Sequence, residues 1–242
     1  MRYPLKIGSL GLALAAMLLL GAVAAGTASA AEFQAKPSFP VKFTGKGGVG
    51  LLETKAGHSV TCTSAEASGE VSGKTAVANV SVNFHGCAAE HLSALPCSSA
   101  SAASGEIRTE TIAGEPVDLD PLHLQAGLLL KPASGEVFAK FVCKSTVPQI
   151  PVEETLTVTG SLIGQVKTTQ LNEFRSTLSL EFVQASGIQA WTQVEAGGAS
   201  HFLLTKGEGT APFAAEQSAV GEAVPGETTT TALEGKQVML VP

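Results

Sequence analysis

The chain has 242 residues, with 15 Lys and Arg against 21 Asp and Glu, a formal charge of −6. A hydrophobic content of 44% excludes intrinsic disorder, which needs low hydrophobicity together with high net charge. The acidic balance argues against a nucleic-acid partner, because affinity there rests on Lys and Arg neutralising phosphates.

Met1 to Lys6 carries two positive charges, and Ile7 to Ala25 is uncharged and rich in Leu and Ala. Ala28-Ser29-Ala30 then places small residues ahead of Ala31-Glu32. This is the three-part layout of a secretory signal peptide over residues 1–30. A retained anchor is the alternative, since the apolar run approaches the ~20 residues that span a bilayer. The small residues at its end favour cleavage. No Cys follows the run, which argues against a lipoprotein. Loss of Arg2 and Lys6 leaves 13 basic and 21 acidic residues, a charge of −8, and loss of Tyr3 leaves no Tyr. The expected product is a secreted, extracellular or envelope protein with no integral span, built as a single all-β domain over residues 31–242. Residues from about 170 onward are the segment that would form a subdomain if there is one.

Nearly every segment after residue 40 reads as strand. Weaker strand patterns cover 41–45, 49–56 and 66–72. In Lys74 to His85, Ala76, Ala78, Val80, Val82 and Phe84 share one face and polar residues the other, with Val77 the single exception. That alternation marks a sheet with one face buried. Ala88 to Ser104 is small and polar and reads as a long loop, followed by weak strand patterns at 105–112 and 125–131. Thr155 to Leu162 alternates again, and its phase shift at Ile163-Gly164 points to a bulge or bend. Ser176 to Phe182 places Leu178, Leu180 and Phe182 on one side, and weak patterns follow at 188–194, 200–206, 212–223 and 228–240. Ser-Gly-Glu at 68–70, 104–106 and 134–136 reads as three turns, Gly supplying the positive φ. No sustained 3.6-residue stripe occurs after the signal peptide. Short strands with Gly and Ser turns predict an antiparallel sandwich or barrel.

Cys62, Cys87, Cys97 and Cys143 lie in the exported part, and an even count in an oxidising compartment points to two disulfides. Cys62 shares a strand face with Val60, and Cys143 with Val137, Ala139 and Phe141, so both face the core. Cys87 lies out of phase after Gly86, and Cys97 follows Pro96 in the loop. The expected pairs are therefore Cys62–Cys143 as a core bridge and Cys87–Cys97 as a loop clip. No CxxC or His spacing supports a metal site at these cysteines.

The order Val60-Thr61-Cys62, Phe84-His85-Gly86-Cys87, Pro96-Cys97, Gly105-Glu106-Ile107, Phe138 to Cys143 and Thr159 to Gly164 resembles a group of secreted proteins of unknown function from GC-rich, Gram-positive bacteria of actinobacterial type. The resemblance covers roughly residues 50–185. It implies export and a disulfide-stapled β fold, and it brings no catalytic or binding residue.

Chemistry has few signals. His58, His85, His91, His123 and His201 are dispersed, and no Gly-x-Ser-x-Gly elbow presents a nucleophile. Asp118 and Asp120 share a strand face, yet a calcium site needs six to eight oxygens, and the simpler reading is two solvated carboxylates before a turn. A glycosidase would need two carboxylates across a cleft. One Trp and no Tyr argue against an aromatic sugar platform, with Trp191 in the core or at its rim, and against an outer-membrane barrel with aromatic girdles. No catalytic, metal or cofactor-binding residue, and no cofactor, is predicted. The expected function is a non-enzymatic binding or structural module with a partner the residues do not name. A carrier of a small hydrophobic ligand inside a barrel is the alternative, favoured by a cavity of several hundred Å³. A secreted hydrolase would show a His within hydrogen-bond reach of a Ser, or a carboxylate pair in a cleft.

Overall fold

A computed structural model describes residues 31–90, 95–120, 124–145, 152–194, 199–209, 218–222 and 228–242. Residues 1–30, expected to be a signal peptide, and His91 and His123 lie outside these residues. The strands are β1 (Glu32–Lys36), β2 (Val41–Gly47), β3 (Gly50–Thr54), β4 (Ser59–Cys62), β5 (Ser64–Gly73), β6 (Ala76–His85), β7 (Ala88–Ala89), β8 (Leu95–Ser98), β9 (Ile107–Arg108) and β10 (Ile112–Asp120). They continue as β11 (Gln125–Pro132), β12 (Val137–Lys144), β13 (Glu153–Gly160), β14 (Leu162–Val166), β15 (Thr177–Glu181), β16 (Gln184–Ala185), β17 (Ile188–Gln189), β18 (Leu203–Gly209), β19 (Ser218–Glu222), β20 (Thr228–Leu233) and β21 (Gln237–Val241).

The predicted antiparallel all-β fold is present, as barrels rather than a sandwich, and there are two of them. In the first, β10-β11-β14-β15-β20-β2-β5-β6 run side by side, and β6 closes onto β10 through Ile112↔Val80 and Gly114↔Val77. In the second, β12-β13-β18-β19-β3-β4-β7-β8 form a closed ring. The chain alternates between them, adding one hairpin per visit: β3–β4 to the second, β5–β6 to the first, β7–β8 to the second. The hairpins β10–β11, β12–β13, β14–β15 and β18–β19 continue the alternation. The crossings are short, one residue at Thr63 and one at Ser161. They meet at the shared end of the barrels. The opposite end of the first barrel is capped by the β1–β21 ribbon, where Phe33, Val238 and Leu240 are almost wholly buried.

Glycine is required at two crossings. Gly160 has φ +102°, and a Cβ there would overlap the Phe202 carbonyl oxygen. Gly86 has φ +62°, and a Cβ would overlap the Thr63 side chain. The bend expected at Ile163-Gly164 thus lies earlier, at Gly160-Ser161. Gly164 stays within β14, its missing Cβ making room for the Phe182 ring. Val77 is in the core, not an exception. A register shift at Asn79, φ +54°, inverts the strand phase, so Val77 points inward before it and Val80 after it. Of the three Ser-Gly-Glu turns, 104–106 and 134–136 have glycines at positive φ ahead of strands. Ser68-Gly69-Glu70 instead lies within β5, with Phe43 packed over Gly69.

The disulfides are Cys62–Cys87 and Cys97–Cys143, which overturns the expected pairing. The supposed loop supplies β7 and β8, and these stand between β4 and β12 in the ring. Cys62 and Cys143 are therefore three strand spacings apart, about 14 Å at ~4.8 Å each, beyond the ~7 Å limit for bridged Cα atoms. Cys97 lies directly opposite Cys143. Cys62 continues the Thr61↔Ala88 register toward Cys87. Strand phase correctly placed Cys62 and Cys143 inward, but all four cysteines are buried, so phase could not select partners. The two bonds clamp the short β7–β8 hairpin into the wall, and they place the folded chain in an oxidising compartment. Among the described residues no helix is long and apolar enough to cross a membrane.

Candidate functional site

An eight-stranded barrel is just wide enough to be filled by side chains or to hold one small ligand. The first barrel falls short of filling itself. Its β5 wall presents only Ala65, Ala67 and Gly69 before Val71, and Gly47 ends β2 beside them. Across the lumen stand Leu128 and Leu130 of β11 and Leu178 and Leu180 of β15, and Val80 and Val82 of the adjacent strand β6 continue the wall. Phe33 and Leu233 form the floor, and Phe84 and Phe182 stand toward the shared end. A cavity of about 100 Å³ remains, and its described lining is hydrocarbon and glycine throughout. The second barrel encloses only about 50 Å³, between Phe138, Phe141, Val158 and Leu203. Phe84 borders both spaces, its ring 3.5 Å from where a Cβ on Gly50 would stand.

Most polar side chains lie at the rims and outer faces, but Glu154 and Thr205 are buried on the inward faces of β13 and β18 in the second barrel. Ser161 Oγ and His201 Nδ1 lie 3.1 Å apart at the β13–β14 crossing. This pair was not legible, because forty residues separate its members, and it meets one condition for a hydrolase. Among the described residues no carboxylate contacts the His201 ring. The Ser161 and His201 backbones are themselves bonded to Phe202 and Thr192. The pair ties the start of β14 to the approach to β18, and among the described residues no group is placed to orient an imidazole base. His85 lies 4.0 Å from Glu66 on the outer face of the first barrel, and His58 sits in the β3–β4 turn, its backbone N–H donating to Thr54 Oγ1.

Asp118 and Asp120 end β10. Asp118 is half-buried rather than solvated, and burial pushes its carboxyl above the ordinary range, partly offset by the Ala31 backbone N–H that donates to it. Among the described residues no three His, Cys, Asp or Glu side chains converge, and all four cysteines are oxidised. Trp191 packs with Val117, Leu129 and Ile163 on the outside of the first barrel, and its indole N–H donates to Gln165 Oε1 at 3.3 Å. It does not line the cavity.

Glu106 is the most perturbed carboxylate outside the cores, held at about 2 by hydrogen bonds from Asn83, the Ala103 backbone N–H and Arg108. Those contacts fix the turn that leads from β8 to β9. Glu106 therefore staples that turn to β6 and β9 of the first barrel's sheet. Compared with known proteins, the chain matches no family model, no curated sequence and no solved structure.

Proposed function

We propose that this is an exported, non-enzymatic bacterial protein that binds a slender apolar molecule in the first barrel. The observation that carries the reading is the cavity lining, which offers a guest mainly hydrocarbon and no polar side chain among the described residues. Water in such a space would forgo its hydrogen bonds. A cavity of about 150 Å³ lined by Leu, Ile and Phe stays dry and accepts benzene. The space here, about 100 Å³, is below the ~300 Å³ at which drug-sized pockets begin, so the reading is restricted to a thin guest such as a short alkyl chain. The signal-peptide layout and the two disulfides support export, and the Ser161–His201 pair, with no carboxylate against it among the described residues, gives little support to hydrolysis.

Native mass spectrometry of the protein recovered from its secretion medium tests this reading. The expected spectrum shows a population carrying an extractable apolar molecule, or one that takes up 1-hexanol at a single site. A protein that leaves the cell unloaded and shows no saturable uptake of 1-hexanol would contradict it.

A further inference from the structure

The cap of the first barrel joins the expected cleavage point to an ionisable group. Ala31, the residue after Ala28-Ser29-Ala30, has no exposed surface and leads directly into β1. Its backbone nitrogen donates to the Asp118 carboxylate at the end of β10, and β1 and β10 are in contact. The other carboxylate oxygen, Oδ1, is buried and has no hydrogen-bond partner among the described residues. A carboxylate held this way is under-satisfied. Asp118 as a whole is half-buried, but an oxygen shut off from water with no donor is costly to keep charged. The adjacent acid does not compete for a cation here, because Glu32 is engaged by Lys74 at 3.3 Å. Asp120 lies two residues further along the same strand.

We propose that cleavage after Ala30 converts the Ala31 nitrogen into an α-ammonium that forms a half-buried ion pair with Asp118, so that the barrel cap is completed only in the processed chain. The step is a hydrolysis by a signal peptidase. Water adds to the Ala30 carbonyl carbon, the C–N bond breaks, and Ala30 leaves as a carboxylate. The Ala31 nitrogen takes up the protons to become –NH₃⁺. One amide donor is thereby replaced by three charged donors at the same place, enough for both carboxylate oxygens. The upward displacement of the Asp118 carboxyl by burial fits a site still lacking its cation. The cap in turn closes the floor of the cavity through Phe33. The inference rests on the exported reading above.

The full chain, exported by its own leader, provides the test. Intact mass should give a product beginning at Ala31. Its α-amine should titrate about one pH unit or more above the ordinary ~7.7–8.0, followed through the Ala31 carbon shifts. It should also react at least tenfold more slowly with an N-terminus-selective aldehyde than the amine of Asp118→Asn. If that variant does not fold, the wild-type titration alone decides. A product beginning at Ala31 whose amine titrates at the ordinary value overturns the ion pair and leaves export standing. A product beginning elsewhere overturns the ion pair together with the assigned cleavage point, and a chain that is not exported overturns the reading beneath both.

Discussion

At the residue scale, the account turns on small side chains where a barrel lumen ordinarily holds large ones. Ala67 faces the cavity from β5, with Leu178 and Leu180 on the lining from β15. Ala67→Leu should place its added carbons in empty space, changing stability by less than about 1.5 kcal/mol while abolishing uptake of 1-hexanol. Chemical denaturation and calorimetric titration of the same sample check both halves. Leu180→Ala works in the other direction: it should cost about 2–5 kcal/mol and admit a bulkier guest. Glu106 supplies a pH signature. Its carboxyl titrates at about 2 in the folded chain against an ordinary 4.5, so its contribution is fully present above pH 4.5. That contribution is lost as pH falls from 4.5 toward 2. Acid unfolding of Glu106→Gln should therefore be less steep than wild type across that window, and equal slopes would remove Glu106 as a staple.

The elements show what could be inferred from the residues and what could not. Alternation in Thr155 to Leu162 and Ser176 to Phe182 correctly identified Leu156, Val158, Leu178 and Leu180 as inward. Alternation reports only which face of a strand is buried, not which strand lies next to it. For that reason Cys62 and Cys143 were matched to each other while β7 and β8, of two and four residues and too short to register, separated them. The cavity was hidden for a related reason: Ala65 and Ala67 look like any alternating strand until Leu128 and Leu180 are found across the ring. On chain entropy the Cys62–Cys87 and Cys97–Cys143 bonds, with sequence separations of 25 and 46, should each contribute about 3–4 kcal/mol. Thermal unfolding of paired Cys→Ala variants checks the magnitude, and non-reducing peptide mapping checks the pairing. Gly160→Ala should cost about 2 kcal/mol or more, because it sets both a disfavoured φ and a carbonyl collision against the β13–β14 crossing.

At the scale of the molecule, the two barrels are built from one chain that changes barrel at each visit, so neither ring is contiguous in sequence. Such interleaving makes the shared end, with its glycine crossings and the Glu106 staple, the mechanical centre of the protein. It also leaves the rings unequal. The second is crosslinked and nearly full. The first is capped by β1 and β21 and retains the larger space. The most direct measurement of the central claim is methyl NMR of the exported protein during titration with 1-hexanol. The account predicts saturable shifts centred on the Val80, Val82, Leu128 and Leu180 methyls, absent in Ala67→Leu. Shifts that fall instead on the outer Val117–Leu129–Ile163 cluster, or that never saturate, would contradict it.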